Sequence, residues 1–315
     1  MHSLAIHALR QYGLRRINLF LLGNAHNTTF RVIASDASQY VLKLHKPANV
    51  SMAEVRSEMQ WLEALSQQTD LLVPHPLRDR NGALVAVIGQ GAHRRWCRLM
   101  RWVPGQRRAK GMRTIHFEKL GELLGTMQNH ATTFSPPRGF TRPRFGRKRL
   151  KSRMAALRDA AGDRLMKPKQ LAVFERAFEQ ADSAMTALGE RRSVFGLIHA
   201  DLGYGNYLFH RGRAGAIDFE ASGFGHFLED LVEPIHFAQH VPHFPRLCAD
   251  VLRGYRRARA LSDEVASYLP AFLAAAAVTT TGYIASESSR RAELPKFADY
   301  FAKHLPHTLR SLQTV

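Results

Sequence analysis

The sequence predicts an α+β fold in which a small sheet-plus-helix lobe, residues 1–103, precedes a mostly helical lobe, residues 104–315. Three segments with the character of strands lie between residues 17 and 45 and are separated by turn residues. From about residue 114 onward, apolar residues recur mainly at the three- and four-residue spacing of amphipathic helices. Strands followed by a run of helices are typical of the α+β class.

The third strand segment shows the clearest alternation. Tyr40, Leu42 and Leu44 fall on one face, whereas Lys43 falls on the other. Ahead of the first strand, residues 4–12 carry apolar side chains at the spacing of a short amphipathic helix. This segment is too polar for a secretory leader.

A helix is predicted directly after these strands, over residues 52–65. Ser51 is its predicted N-cap, and Glu54, three residues later, completes a capping box. The residues of its apolar stripe are Val55, Met59, Leu62 and Leu65.

The same patterns predict the later elements. Strands are expected over residues 84–88 and 96–100, and helices over residues 116–128, 171–190 and 227–238. The remainder, from about residue 246, is expected to be helical with breaks at three prolines, Pro270, Pro295 and Pro306.

The composition is that of an ordinary globular protein, with 45% hydrophobic and 23% charged residues. The most apolar run, Leu269 to Ile284, is too short and too interrupted to span a bilayer, so we expect a buried helix and no membrane partner. Cys97 and Cys248 form no metal-ligand spacing, which favours a reduced, cytoplasmic protein.

The formal net charge is +19, and basic residues are concentrated between residues 138 and 169. Two interpretations of this segment remain open: a solvated face, or a patch that recruits an anionic substrate, an acidic protein or nucleic acid. Aromatic residues are sparse there, so stacking of single-stranded nucleic acid is poorly supported. A nucleic-acid partner is therefore disfavoured.

The clearest chemical pattern lies between residues 195 and 220. His199, Asp201 and Asn206 occupy a polar loop between two short apolar segments, and Asp218 follows a third apolar segment. Phosphoryl transfer needs a carboxylate that orients the acceptor hydroxyl and takes its proton, and oxygen ligands for Mg²⁺. Asp201 is the candidate for the first role, and Asn206 and Asp218 are the candidate metal ligands. His199 is expected to brace the loop by hydrogen bonding.

This loop resembles that of the aminoglycoside phosphotransferase and choline kinase superfamily, which usually reads His-Gly/Ala-Asp-Leu-His-x-x-Asn and is followed by Ile-Asp-Phe-Asp/Glu. The matching residues here are 199–206 and 217–220, and residues 223–231 resemble the Gly-x-Gly…Asp-Leu segment of the same superfamily. The closest resemblance is to the bacterial branch with stress response kinase A and homoserine-kinase-like proteins. It covers residues 10–300 and implies a bilobal protein-kinase-like fold that uses ATP and Mg²⁺.

The resemblance also implies a nucleotide site. Lys43 is positioned like the strand lysine that contacts the α- and β-phosphates, and Glu58 is its expected ion-pair partner. Residues 98–105 resemble the hinge between the lobes, where main-chain groups hold adenine. The residues expected there are Met100, Arg101 and Val103.

Two positions depart from the family pattern. Gly203 replaces the histidine that usually follows the Asp-Leu pair, which removes a polar group beside the base. Glu220 stands where many members have a second Asp, and would either approach a second metal ion or hydrogen-bond the loop. Asp230 is expected to brace the backbone of the catalytic loop.

The sequence leaves the acceptor open. A protein Ser or Thr, or a small metabolite alcohol, is favoured over an aminoglycoside, because aminoglycosides are cations and the chain carries a large positive charge. The alternative is a non-catalytic, nucleotide-binding pseudokinase scaffold that uses its basic face to bind an anionic partner.

Overall fold

The structure is a computed structural model that describes residues 1–15, 17–24, 27–108, 111–241 and 243–312. The chain forms two compact units. Unit 1 consists of Met1–Gln106, Phe134–Arg142 and Leu208–Glu220, and unit 2 consists of Arg107–Thr133, Pro143–Tyr207 and Ala221–Val315. The first segment of unit 1 ends close to the boundary predicted at residue 103, and two later segments of the chain also belong to this unit.

Unit 1 is built on an antiparallel sheet. Its strands are ordered β1-β2-β3-β6-β4, and β5 pairs with β6. In chain order its elements are α1 (His2–Gln11), β1 (Ile17–Asn24), β2 (Asn27–Ala34), β3 (Gln39–His45), α2 (Met52–Gln68), β4 (Pro76–Leu77), β5 (Ala86–Ile88) and β6 (Arg95–Arg101). The predicted strands, and the short helix before them, are confirmed.

One face of this sheet carries the core of unit 1. Tyr40, Leu42 and Leu44 are buried there, as the alternation in β3 predicts, together with Leu9 of α1 and Leu99 of β6.

Helix α2 begins as predicted. Ser51 accepts a hydrogen bond from the backbone N–H of Glu54, whose carboxylate accepts from the backbone N–H of Ser51.

Unit 2 is mostly helical. The remaining elements are α3 (Thr114–Thr133), α4 (Arg147–Gly162), α5 (Pro168–Leu188), β7 (Phe195–Ile198), β8 (Tyr207–His210), β9 (Arg213–Ala216), β10 (Gly223–His226), α6 (Phe227–Val232), α7 (Phe244–Ala258), α8 (Asp263–Ala266), α9 (Leu269–Ser286) and α10 (Leu294–Leu312). Strand β7 pairs with β10 in unit 2, and β9, which pairs with β8, lies in unit 1. The predicted α+β class is confirmed.

Of the three helix breaks predicted at prolines of the C-terminal region, two coincide with the starts of helices, and the one at Pro306 was wrong. Pro270 and Pro295 lie in the first turns of α9 and α10, where a backbone N–H has no intrahelical acceptor and proline is tolerated. Pro306 lies inside α10, which continues to Leu312.

The apolar segment predicted as a buried helix is α9. Within the described residues, Asp263–Ser286 is the one stretch long and apolar enough to cross a membrane, and 72% of its most apolar window is buried inside the protein. Burial on both sides of α9 by neighbouring helices explains its nearly uniform apolar sequence. The prediction of a buried core helix is therefore confirmed.

Helices α3 and α7 approach closely at a pair of glycines. A Cβ atom at Gly254 would lie 1.9 Å from the backbone oxygen of Glu118, and one at Gly121 would lie 2.1 Å from that of Val251. Because backbone atoms cannot yield cheaply, we expect Gly254→Ala to lower the free energy of unfolding by about 3 kcal/mol, measured by urea denaturation. The control is Gly162→Ala at the end of α4, where a Cβ meets nothing within 4 Å. Equal effects in the two variants would contradict this packing.

Candidate active site

Lys43 lies at the centre of a charge cluster in unit 1. Its Nζ atom is 2.8 Å from Asp218 Oδ1 and 2.6 Å from Glu220 Oε1. Lys43 is buried in β3, whereas the side chain of Asp218 is 42% exposed. The fold thus joins the predicted strand lysine to the predicted metal carboxylate, which lies 175 residues later in the chain.

The ion pairs around Lys43 differ from the predicted Lys43–Glu58 pair. Glu58 is paired with Arg98, whose side chain is fully buried, and Arg98 Nη2 also lies 2.8 Å from Glu220 Oε1. The reason is strand register. Lys43 and Arg98 are direct partners on β3 and β6, and two cations in that position need carboxylates on both sides. Glu58 neutralises Arg98, and Asp218 and Glu220 neutralise Lys43.

The protonation of the cluster follows from these contacts. Burial alone raises the pKa of Glu220, but the charges of Arg98 and Lys43 and their hydrogen bonds outweigh it and hold this pKa below its ordinary value. Burial lowers the pKa of His45 to about 2, and the neighbouring Arg98 and Lys43 add to the shift. His45 is therefore neutral beside the ionised cluster.

The backbone that carries Asp218 and Glu220 is held from two sides. Phe219 is buried edge-on against Trp61 of α2, with ring centroids 5.6 Å apart. Arg142 donates hydrogen bonds to the backbone oxygens of Glu220 and Glu54. Asp218 itself has a φ of 65°, in the left-handed region that non-glycine residues rarely occupy, so its carboxylate is placed by the surrounding contacts and not by local preference.

The predicted adenine-binding residues lie at the end of β6 and just beyond it. Met100 pairs with Val41 in the sheet, and the backbone N–H of Arg101 donates to the oxygen of His75. Met100 and Val103 are buried. At Gly105, φ is 140° and a Cβ atom would lie 2.6 Å from a side-chain atom of Leu208, so this position requires glycine. A contact of this segment with adenine remains a prediction.

Asp201 and Asn206 are joined within unit 2. Asn206 Nδ2 donates to Asp201 Oδ2 at 2.8 Å and to the backbone oxygen of Asp201 at 2.8 Å. The backbone N–H of Asp201 donates to Nδ1 of the fully buried His199, at 3.3 Å. His199 thus braces the loop, as predicted, and Asp201 is left exposed at its surface.

A second brace comes from Asp230 in α6, also as predicted. Its two carboxylate oxygens accept from the backbone N–H groups of His199 and Ala200, each at 2.7 Å. Burial raises the pKa of Asp230 to about 7, against the effect of these two hydrogen bonds. Ala200 has a φ of 65°. Such a conformation persists only where surrounding contacts hold it, and Asp230 supplies them here.

The residues predicted to bind Mg²⁺ have suitable donor atoms. Within the described part of the chain, no group of three or more His, Cys, Asp or Glu side chains is arranged to hold a metal ion. Asn206 turns its amide nitrogen to Asp201, which leaves the amide oxygen as its ligand atom, and Asp218 offers an exposed carboxylate. Amide and carboxylate oxygens, completed by phosphate and water, are the ligands that Mg²⁺ prefers. Asn206 belongs to unit 2 and Asp218 to unit 1.

Part of the basic 138–169 segment is paired within the fold. Arg142 binds backbone oxygens in unit 1, as described above. In unit 2, arginines at four further positions form ion pairs with carboxylates: Arg144 with Glu190, Arg147 with Asp182, Arg149 with Glu229 and Arg158 with Glu175. These pairs give a structural role to four of the twelve basic residues in the segment, and its use as a binding patch stays a hypothesis.

Sequence reasoning missed Arg98 and the partners of Glu220. Asn27, at the start of β2, donates from Nδ2 to both carboxylate oxygens of Glu220, at 2.7 and 2.6 Å. Arg98 lies between the apolar Cys97 and Leu99, at the centre of the strand predicted over residues 96–100, and a charge at that position is a signal for a buried ion pair. Asn27 offered no comparable signal.

Comparison with known proteins identifies the family. The family model described as "Phosphotransferase enzyme family" matches residues 19–261. The chain belongs to this family. The family predicted from the loop motifs is thereby confirmed. The matched region begins in β1, ends just after α7 and includes Lys43 and both loop motifs.

Related sequences include an amicoumacin kinase of Bacillus subtilis (strain 168), 26% identical over 231 residues, which are 71% of this chain and 64% of the relative. The match thus spans just under two thirds of the length of that kinase. A protein of Deinococcus radiodurans is 27% identical over 286 residues, 88% of this chain and 80% of the relative.

Solved structures share the fold. A microcompartment-associated aminopropanol kinase has a TM-score of 0.81 at 23% identity, over 99% of this chain and 98% of that one. The amicoumacin kinase hAmiN, in complex with AMP-PNP, Ca²⁺ and amicoumacin, has a TM-score of 0.78 at 20% identity, over 96% of this chain and 94% of that one. A spectinomycin phosphotransferase in complex with ADP and spectinomycin has a TM-score of 0.68 at 11% identity, over 100% of this chain and 98% of that one. The kinase-like fold is confirmed.

Proposed function

We propose that the protein transfers the γ-phosphoryl group of ATP to a hydroxyl group of a small molecule. The observation that carries the proposal is the contact of the strand lysine, Lys43, with Asp218 of the second loop motif. Family membership gives this contact a chemical meaning, because a phosphate-binding lysine and a metal-binding carboxylate are both required for phosphoryl transfer.

Each residue of the proposal has one role. Asp201, exposed and fixed by Asn206, orients the acceptor hydroxyl and takes its proton. Lys43 donates hydrogen bonds to phosphate oxygens, and the main-chain groups of residues 100–103 hold adenine. Asn206 and Asp218 are the proposed Mg²⁺ ligands. The cation, when bound, neutralises negative charge on the phosphates.

A small-molecule acceptor is favoured over a protein. The relatives and similar structures include kinases named for amicoumacin and aminopropanol and a phosphotransferase named for spectinomycin. The pseudokinase alternative is weakened in part, because four of the twelve basic residues in the 138–169 segment form ion pairs within the fold. We further propose a cytoplasmic location, since neither cysteine forms a disulfide.

The test is ADP release with Mg²⁺ and ATP over a panel of amino alcohols, sugars, aminoglycosides and generic protein substrates. We expect acceptor-dependent turnover that falls about 100-fold or more in Lys43→Met. The matched control is Lys46→Met, an exposed lysine just beyond β3, which should retain full activity. If the wild-type protein binds ATP but its turnover is no higher than that of Lys43→Met, the result would instead favour the non-catalytic scaffold.

A further inference from the structure

The Glu220 carboxylate is bound by three side chains of unit 1. Its carboxylate accepts hydrogen bonds from Asn27 on both oxygens, from Lys43 at 2.6 Å and from Arg98 at 2.8 Å. Two carboxylate oxygens provide about four lone-pair positions. Three of the four contacts fall on Oε1, and in the described part of the chain Oε2 accepts from Asn27, so Glu220 is held mainly through Oε1.

The contacts of Asp218 differ from those of Glu220. Its hydrogen-bonded partner in the described part of the chain is Lys43 alone, and its side chain is 42% exposed, against 29% for Glu220. Asp218 can exchange its partner without leaving other donors unsatisfied. The two carboxylates that contact Lys43 are therefore not equivalent: one is held by several groups, and the other is available.

The charge balance of the cluster also distinguishes Glu220 from Asp218. Glu58 neutralises Arg98, and both are buried. Lys43 has two carboxylate partners, although one is enough to balance its charge. If Asp218 turns to a divalent cation, Glu220 still balances Lys43, and no buried ammonium group is left without a counter-charge. With Glu220 neutral, Lys43 and the cation would compete for Asp218.

We propose that Glu220 is a positioning residue that holds Lys43 in place through a carboxylate fixed by Asn27 and Arg98, so that Asp218 is free to bind a divalent cation. The bond from Asn27 extends this role to β2, the strand next to β3. This inference rests on the proposed function for its catalytic consequence, but the contacts that carry it exist in the protein without nucleotide or metal.

The first test uses the protein without nucleotide or metal. Glu220→Gln keeps the shape of the side chain but loses the charge that holds Lys43 and Arg98. We expect faster hydrogen exchange in β2 and in residues 217–221 of this variant, and intermediate rates in Glu220→Asp, which restores the charge on a shorter side chain. Glu63→Gln, which removes the charge of the carboxylate that pairs with the exposed Arg78, is the control and should leave these rates unchanged. Unchanged exchange in Glu220→Gln would overturn the proposal.

The second test separates positioning from metal binding. We expect Glu220→Gln to lower kcat/KM by about 10- to 100-fold in an otherwise wild-type protein, as for loss of a hydrogen bond to a charged group. In a Lys43→Met background the same change should cost about threefold at most, because its effect passes through Lys43. Equal losses in both backgrounds would overturn the proposal and indicate direct metal ligation.

These outcomes remain distinct from failure of the proposed function. If the wild-type protein turns over no acceptor, the phosphotransferase proposal fails. The ATP affinities of the wild-type protein, Glu220→Gln, Lys43→Met and the double variant are then compared in place of kcat/KM. The hydrogen-exchange test is unchanged. A loss of affinity in Glu220→Gln that vanishes in the Lys43→Met background supports positioning, and an additive loss overturns it.

Discussion

Asp201→Asn is expected to lower kcat by about 10²- to 10⁴-fold, the contribution of a positioned general base. The substituted amide retains an oxygen that can accept the hydrogen bond from Asn206 Nδ2, so the loop geometry persists. What is lost is the negative charge that orients the acceptor hydroxyl and the group that takes its proton. ATP affinity should stay at the wild-type value. Single-turnover kinetics with a reactive acceptor, together with calorimetric ATP titration, measure the two quantities separately.

The matched control for this variant is Asp182→Asn. Asp182 is also in unit 2, where it forms a surface ion pair with Arg147, and its replacement should leave kcat unchanged. A fully active Asp201→Asn protein would remove Asp201 from the catalytic machinery. Parallel losses of kcat and ATP affinity would point instead to collapse of the loop that His199 and Asp230 brace.

Arg98→Met is expected to lower the free energy of unfolding by about 3–5 kcal/mol, which is the cost of leaving a buried charge without its partner. Arg98 is fully buried and Glu58 is 3% exposed, so solvent cannot replace the lost guanidinium. Urea denaturation of the protein without nucleotide measures this effect. The double variant Arg98→Met/Glu58→Gln should recover part of the loss, because a neutral amide replaces the stranded carboxylate.

The control for Arg98 is Arg78→Met. Arg78 and Glu63 form an ion pair at 2.7 Å in the same unit, but the side chain of Arg78 is 52% exposed. Its loss should cost about 1 kcal/mol or less, as for surface pairs in general. If Arg98→Met were equally mild, the Glu58–Arg98 pair would not be a structural element of the cluster.

Local patterns accounted for most of the elements. Alternation in β3 and the capping box of α2 are properties of neighbouring residues, so a single sequence suffices to predict them. The pairing of Lys43 is a different matter. It depends on which residue of β6 lies opposite Lys43, and strand register is not encoded in either strand alone.

The prolines of the C-terminal region illustrate a similar limit. The breaks predicted at Pro270 and Pro295 correspond to the starts of α9 and α10, where proline fits, whereas α10 continues through Pro306. The basic segment is comparable. Its charge is evident in the sequence, whereas the acidic partners Glu190, Asp182 and Glu229 lie 35 to 80 residues away along the chain.

By itself, the sequence determined the family and the α+β class, and it predicted the loop residues Asp201, Asn206 and Asp218, because a short motif keeps its spacing whatever surrounds it. Only the tertiary structure decided that Glu58 serves Arg98, that Glu220 and Asp218 share Lys43, and that Asn27 joins them. Buried charges must be neutralised by groups that the fold brings within about 3 Å, and those groups come from segments far apart in the chain.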